Sequence, residues 1–185
     1  MKELVFLLEE ESAKEMLKSL LPRILPYDIT PQYFVFEGKQ DLENQLIRKL
    51  KGYRVPNAKF VILRDQDASD CRIVKNSIID KCNKTGRKDV LVRIVCREIE
   101  SWYLADLAAV EQGLNVSKLV QLQNKNMYRT PDNIVSPSKR LKKIAPKYQK
   151  VSGSRAIGPF LDLNNNRSHS FAVFIAGIKK LCGIS

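Results

Sequence analysis

Residues 60–70 read Phe60-Val61-Ile62-Leu63-Arg64-Asp65-Gln66-Asp67-Ala68-Ser69-Asp70, an apolar run followed at once by three aspartates. The run has the length and composition of a buried strand, and the acids fall where such a strand would end. Working toward the N-terminus, Leu4-Val5-Phe6-Leu7-Leu8 is another continuous apolar run, of the kind buried on both faces of a parallel sheet. Ser12 and Glu15 then form a capping box, with Leu17, Leu20, Leu21 and Ile24 at helical spacing until Pro26. Tyr33-Phe34-Val35-Phe36 is a further strand closed by Gly38, and Leu42, Leu46, Ile47 and Leu50 mark a helix closed by Gly52. Working toward the C-terminus, Ile73, Val74, Ile78 and Ile79 give a helix to about Lys84, ended by Gly86. Val90 to Val95 is a fourth strand leading into a helix that begins near Glu98. Strands alternating with helices imply right-handed βαβ units. The expected fold is therefore α/β: a Rossmann-like, mainly parallel sheet flanked by helices over residues 1–113.

Beyond Gly113 the texture changes. Pro131, Pro137, Pro146 and Pro159 punctuate short helical pieces, Ser136-Pro137 caps a basic helix from Ser138 to Ala145, and Phe171 to Leu181 forms a terminal helix capped by Ser168 or Ser170. Residues 114–185 read as a basic, mainly helical extension packed on the core, so that the whole is one compact unit. No repeat and no low-complexity segment interrupts this plan.

Composition narrows the function. The 185 residues are 44% apolar and 28% charged, with a net charge of +12. No apolar run reaches the roughly eighteen residues of a membrane helix, and the N-terminus lacks the pattern of a signal peptide, so a cytoplasmic protein is expected. Cys71, Cys82, Cys96 and Cys182 form no CxxC pair and His169 is the single histidine, which argues against structural zinc and against triad chemistry. Residues 1–100 hold 19 Lys+Arg and 16 Asp+Glu, whereas residues 101–185 hold 13 and 4. Acids in the first half and excess cations in the second suggest an acidic site beside a polyanion-binding surface, with nucleic acid or another polyphosphate as partner.

In open parallel sheets, ligands bind beyond the carboxyl ends of the strands. Glu9, Glu10 and Glu11 follow the first strand, Asp65 and Asp67 the third, and Glu98 and Glu100 the fourth. In an extended segment Asp65 and Asp67 leave the same face, where two carboxylates repel unless a cation lies between them; hard oxygen donors of this kind suit Mg²⁺ or Mn²⁺. Local roles compete: Glu10 and Glu11 complement a helix dipole, and Asp67, Ser69 or Asp70 could cap the next helix. Glu98 and Glu100 stand about 200° apart on a helix, so they do not readily share one ion; Glu100 is kept as a further candidate ligand. A buried Asp106 beside Trp102 and Tyr103 would call for an arginine partner.

The segments FLLEEESAKEMLKSLLPRILP, VILRDQDASDC, VRIVCREIESWYLADLAAV and SPSKRLKKIAPKYQKVSGSRAIGPFLDLNNNRSHSFAVF together resemble the bacterial domain-of-unknown-function family 4276, over nearly the whole chain. That family is similar to the TOPRIM fold of topoisomerases, primases and OLD-type nucleases. The resemblance implies that Glu9, Asp65 and Asp67 match the glutamate and DxD that bind Mg²⁺ and handle phosphodiester chemistry, with Glu9 as ligand or general base. It also implies work in phage defence beside an AAA- or ABC-type ATPase. Many relatives carry glycine directly after that glutamate and a second acid shortly beyond; this chain has Glu10 and Ala13 there.

A second constellation is basic. Lys139, Arg140, Lys142, Lys143 and Lys147 cluster on or near one helix, a stripe able to neutralise phosphates without reading sequence. Arg155 and Arg167 sit in stretches read as polar loops, suited to bidentate phosphate contacts. Tyr128 and Tyr148 interleave with these cations, where they could stack on bases but read more readily as core residues, and His169 reads as a cap-loop residue rather than a base. The reading reached is a divalent-metal-dependent nuclease. Its rivals are a non-catalytic nucleic-acid-binding or partner-docking module, and a haloacid-dehalogenase-like phosphatase with Asp65 as nucleophile in Asp65-x-Asp67-x-Ser69. Oligomeric state leaves no signal in the sequence.

Overall fold

The computed structural model describes residues 2–165 and 167–184. Four strands, β1 (Lys2–Leu8), β2 (Ile29–Val35), β3 (Lys59–Asp65) and β4 (Val90–Val95), form one sheet in the order β2-β1-β3-β4 with every pair parallel. The connections carry α1 (Glu11–Leu20), α2 (Lys39–Gly52) and α3 (Cys71–Asn83). The α/β class and the parallel sheet expected from the apolar runs are those of the structure. Pro31 is tolerated in β2 because that strand lies at the sheet edge.

Alternate residues of each strand leave by opposite faces, and both faces are covered. Leu4, Phe6, Leu8, Val61, Leu63 and Val95 pack with Met16, Leu17 and Leu20 of α1, while Val5, Leu7, Phe60, Ile62 and Val92 pack with Leu42 and Leu46 of α2 and Ile78 of α3. Each such side chain contributes about 1.5–3 kcal/mol on burial, so a one-residue slip of register would forfeit both faces together.

The first face is thickened by the rest of the chain. After β4 come α4 (Glu100–Leu104), α5 (Leu107–Leu114), α6 (Asn126–Arg129), α7 (Pro137–Ile144), α8 (Lys150–Ile157) and α9 (His169–Cys182). Trp102 lies against Phe171 and Phe174 of α9, and its Nε1 donates to Ser170 Oγ at 2.9 Å. Ser168 caps α9 by accepting from the Phe171 amide. At Gly113 α5 meets α8 so closely that a Cβ would stand 2.6 Å from the Ala156 carbonyl oxygen, which leaves room for hydrogen alone.

Several local expectations are overridden by tertiary partners. The Ser12–Glu15 capping box does not form: α1 begins at Glu11, Ser12 Oγ donates to Glu10, and Glu15 is drawn to Lys18 and Arg155. Residues 150–157, read partly as a loop because of Ser152-Gly153-Ser154, form α8; Gly153 is needed there because the Tyr148 ring occupies the place of a Cβ. Asp106 takes no arginine. Its carboxylate caps α5 through the Ala109 amide at 3.0 Å and accepts from the Asp162 amide at 2.8 Å.

Candidate functional site

In the order β2-β1-β3-β4 the chain winds one way from β1 and the other way from β3, so the crevice of an open sheet opens between their carboxyl ends. Glu9 follows β1 and Asp65 closes β3. Glu9 is 9% exposed, and its Oε2 accepts from the Asp65 amide at 3.1 Å. Glu100, at the start of α4, is fully buried: Oε1 accepts from the Tyr148 hydroxyl at 2.9 Å, and Oε2 has no hydrogen-bond partner among the described residues. Glu10 receives Ser12 Oγ at 3.2 Å and pairs with Lys150. A recess of about 10 Å³, close to the room for one water-sized particle, is bounded by Glu9, Glu10, Ser12, Ala13 and Asp65.

The electrostatics of this cluster are those of a cation deficit. Burial, then the charges of Glu9, Glu100 and Glu10, push the Asp65 carboxyl well above the usual carboxylate range, with Lys150 alone opposing them among the leading influences. Burial likewise raises Glu9, against the Asp65 amide, and raises Glu100, against Lys150 and the Tyr148 hydroxyl. Burial would lower Lys150, but the hydrogen bond to Glu10 and the charges of Glu10, Glu100 and Asp65 prevail and raise it.

Asp67 stands apart from this group. The strand stops at Asp65, and Asp67 takes a left-handed backbone (φ 56°), so the shared extended face expected for the two aspartates does not exist. Its amide donates to the Arg97 carbonyl at 2.9 Å, tying the loop after β3 to the loop after β4, where Arg97 is itself left-handed. Its carboxylate pairs with Lys39 at 2.8 Å, at the first turn of α2. Its charge still helps to raise the Glu9 carboxyl. It does not cap α3; Asp70 does, accepting from the Arg72 and Ile73 amides at 2.8 and 3.1 Å. Glu98 turns away from Glu100 and takes the Ser138 amide at 2.7 Å, replacing the Ser136 side chain as cap of α7.

The cations divide in the same way. A hollow of about 560 Å³ runs from Glu100 and Tyr148 past Lys150 to Lys139, Lys142 and Lys143, so the basic helix borders the acidic crevice. Arg140 is laid against Tyr128, to whose hydroxyl its Nε donates at 2.7 Å. Arg155 is helical rather than in a loop and is bound to Glu15. Arg167 is exposed in the loop before α9 and borders a different hollow with Asp106 and Asp162. The structure thus gathers Glu9, Asp65 and Glu100, brings Glu100 beside the α7 lysines, and leaves Arg155 and Arg167 outside. Tyr148, read from the sequence as a core residue, is also a site residue through its hydroxyl bond to Glu100, and Lys150, the next cation after the basic stripe, is one through Glu10; the signal for these roles is faint, two polar-tipped residues bracketing Gln149 just after Pro146.

Among the described residues, no three His, Cys, Asp or Glu side chains form a ready-made metal cage. The donors nevertheless fit a hard divalent ion in kind: carboxylate oxygens only, desolvated, mutually repelling, with the Glu100 Oε2 lone pairs unused.

The fold and this crevice define an open-sheet α/β protein with an acidic pocket at its switch point and a cationic helix at the rim. The chain belongs to the family described as Domain of unknown function (DUF4276), whose model matches residues 8–179. No curated protein and no solved structure matches it.

Proposed function

We propose that this chain is a divalent-metal-dependent phosphodiesterase acting on nucleic acid, with a TOPRIM-like site and a role in phage defence beside an AAA- or ABC-type ATPase. The observation that carries the reading is the cluster of Glu9, Asp65 and Glu100, desolvated together at the switch point, with Lys150 set against Asp65 and Glu100 and Arg64 against Glu9. Folding tolerates such repulsion at a cost, and a bound Mg²⁺ or Mn²⁺ would offset it. Glu9 and Asp65 would hold the ion, with Glu100 behind them; when bound, it would polarise a phosphoryl oxygen and acidify water. Lys150 is placed to bind the phosphate at the mouth of the crevice, and Lys139, Lys142 and Lys143 to hold the neighbouring phosphates. The alternative role for Glu9, with Asp65 holding the ion, is to accept the proton of the attacking water, for which a carboxyl raised by burial is suited. Tyr148 fixes Glu100 through its hydroxyl.

One observation favours a second reading, a nucleic-acid-binding or partner-docking module without catalysis: Lys39 already neutralises Asp67. Cleavage of DNA and RNA with Mg²⁺ or Mn²⁺, against p-nitrophenyl phosphate as a small ester, separates the readings. Nucleic-acid cleavage lost in Asp65→Asn supports the phosphodiesterase. Hydrolysis of the small ester alone supports a phosphatase, and metal-independent binding without turnover in the presence of the ATPase supports the module.

A further inference from the structure

We infer that the groove on the far flank of α7 is a base-binding subsite for unpaired nucleic acid, so that the strand entering the acidic crevice is single-stranded where it crosses this helix. The inference rests on the nucleic-acid reading above and adds to it a strand preference. The groove encloses about 620 Å³, and Met127, Ile134 and Val135 share its lining with Lys139, Arg140 and Lys143. Met127 is 49% and Val135 76% exposed, so folding leaves apolar surface open in the middle of a cationic rim. A volume of this size is that of a small-molecule site, with room for a splayed base.

Arg140 gives the groove its chemical character. Its Nε donates to the Tyr128 hydroxyl at 2.7 Å, and its guanidinium carbon lies 5.2 Å from the centre of the Tyr128 ring, which is itself fully buried. Two anchors to a rigid ring hold the guanidinium plane in place, and a fixed guanidinium plane is a stacking surface for a nucleobase. Lys139 and Lys143, four residues apart, lie on one side of α7. They border both this groove and the hollow that leads to Glu100 and Lys150. A strand can therefore lay phosphates across α7 with a base in the groove and its continuation in the crevice. In a duplex the bases are stacked inward and cannot reach a concave apolar floor, whereas an unpaired strand can turn them out. An acidic peptide could pair its carboxylates with the lysines and the edge of the guanidinium, but glutamates bring no flat ring to lay on its face or on the apolar floor.

The test is anisotropy binding in a chelator, so that cleavage plays no part. The probes are a labelled oligothymidine, the same strand with abasic sites, the blunt duplex of equal length, and a glutamate-rich peptide. The expected order is oligothymidine about tenfold or more tighter than the abasic strand, the scale of one stacked base, with duplex and peptide weaker still. Val135→Gln, at an exposed position and without change of charge, should reduce oligothymidine affinity by about tenfold and leave the abasic strand within about twofold. Arg140→Lys, which keeps the charge and loses the plane, should do the same; where it lowers the melting temperature, Val135→Gln decides. Equal affinity for the normal and abasic strands, duplex binding at least as tight, or preference for the peptide overturns the subsite while leaving the proposed activity standing. Binding of none of the nucleic acids overturns both. Single-strand preference here, with no cleavage once Mg²⁺ or Mn²⁺ replaces the chelator, upholds the subsite and removes the phosphodiesterase.

Discussion

Glu15 and Glu100 are buried to nearly the same degree, 4% and 0% exposed, yet they live in opposite environments. Glu15, on α1, is held between Lys18 and Arg155, and these hydrogen bonds keep its carboxyl below the usual glutamate range. Glu100 meets a neutral tyrosine hydroxyl and a more distant lysine, and burial pushes it above that range. Glu43 repeats the first pattern, with Arg64 at 3.3 Å and Lys81 at 2.6 Å. The acids that fasten helices together are matched by cations, whereas Glu9, Asp65 and Glu100 at the switch point form no salt bridge among the described residues. A carboxylate left short of positive charge inside a fold is a stored demand for a ligand.

That contrast fails first, and most visibly, at Asp65. Asp65→Asn is expected to lower metal-dependent cleavage by about a hundredfold or more, because the amide keeps the shape and loses the charge that concentrates the ion. Rate assays with circular dichroism of the variant check it, and cleavage undiminished in Asp65→Asn, free of contaminating nuclease, sinks the mechanism.

Substitutions that only neutralise sharpen the comparison in stability. Glu15→Gln should cost about 1–3 kcal/mol, since Arg155 and Lys18 lose a charged acceptor. Glu100→Gln should leave stability in metal-free buffer unchanged or higher, because the amide oxygen still accepts from Tyr148 and a desolvated charge is gone. Urea unfolding of the pair measures both; equal losses would mean that Glu100 is an ordinary structural acid.

Mg²⁺ should act on one region alone. At about tenfold above its dissociation constant it stabilises the folded chain by about 1.4 kcal/mol, a rise of roughly 3–6 °C in Tm for a domain of this size. The same titration of Asp65→Asn should give no rise, and an equal rise in both proteins places the ion elsewhere.

The smallest effect is in acid. Because the folded Glu15 carboxyl titrates below its unfolded value of about 4.3, its stabilisation is complete above that pH and is lost as pH falls through the folded value. The Tm gap between the wild type and Glu15→Gln should therefore narrow between about pH 5 and pH 3. A constant gap would show that charge is not what Glu15 contributes.

The sheet was legible because its strands are apolar on both faces. Runs such as Leu4–Leu8 and Phe60–Leu63 are too short to cross a membrane and read as strands buried on both faces, and the acids that follow them locate the sheet's carboxyl edge. What the sequence hid was decided by distant partners. Nothing local in Lys150-Val151-Ser152-Gly153-Ser154 favours a helix, which forms because Gly153 admits the Tyr148 ring. Glu15 reads as a cap until Arg155, 140 residues away, claims it. Asp65 and Asp67 read as a pair until the left-handed turn at Asp67 parts them. Glu100 and Glu98 look alike in sequence, and only the packing of α7 shows that one caps a helix and the other faces the crevice.

The docking of α8 on α1 has a consequence for how the molecule is made. The Glu10–Lys150 and Glu15–Arg155 pairs each close a loop of 140 residues, among the most expensive contacts for a chain to search for. During synthesis the four strands emerge well before α8, so the acidic edge first exists open to water, hydrated and without its lysine. It becomes a desolvated pocket only when the last third of the chain closes over it. The site is therefore complete only with α8 in place, and a chain arrested before Lys150 carries the carboxylates without the lysine-backed environment described above.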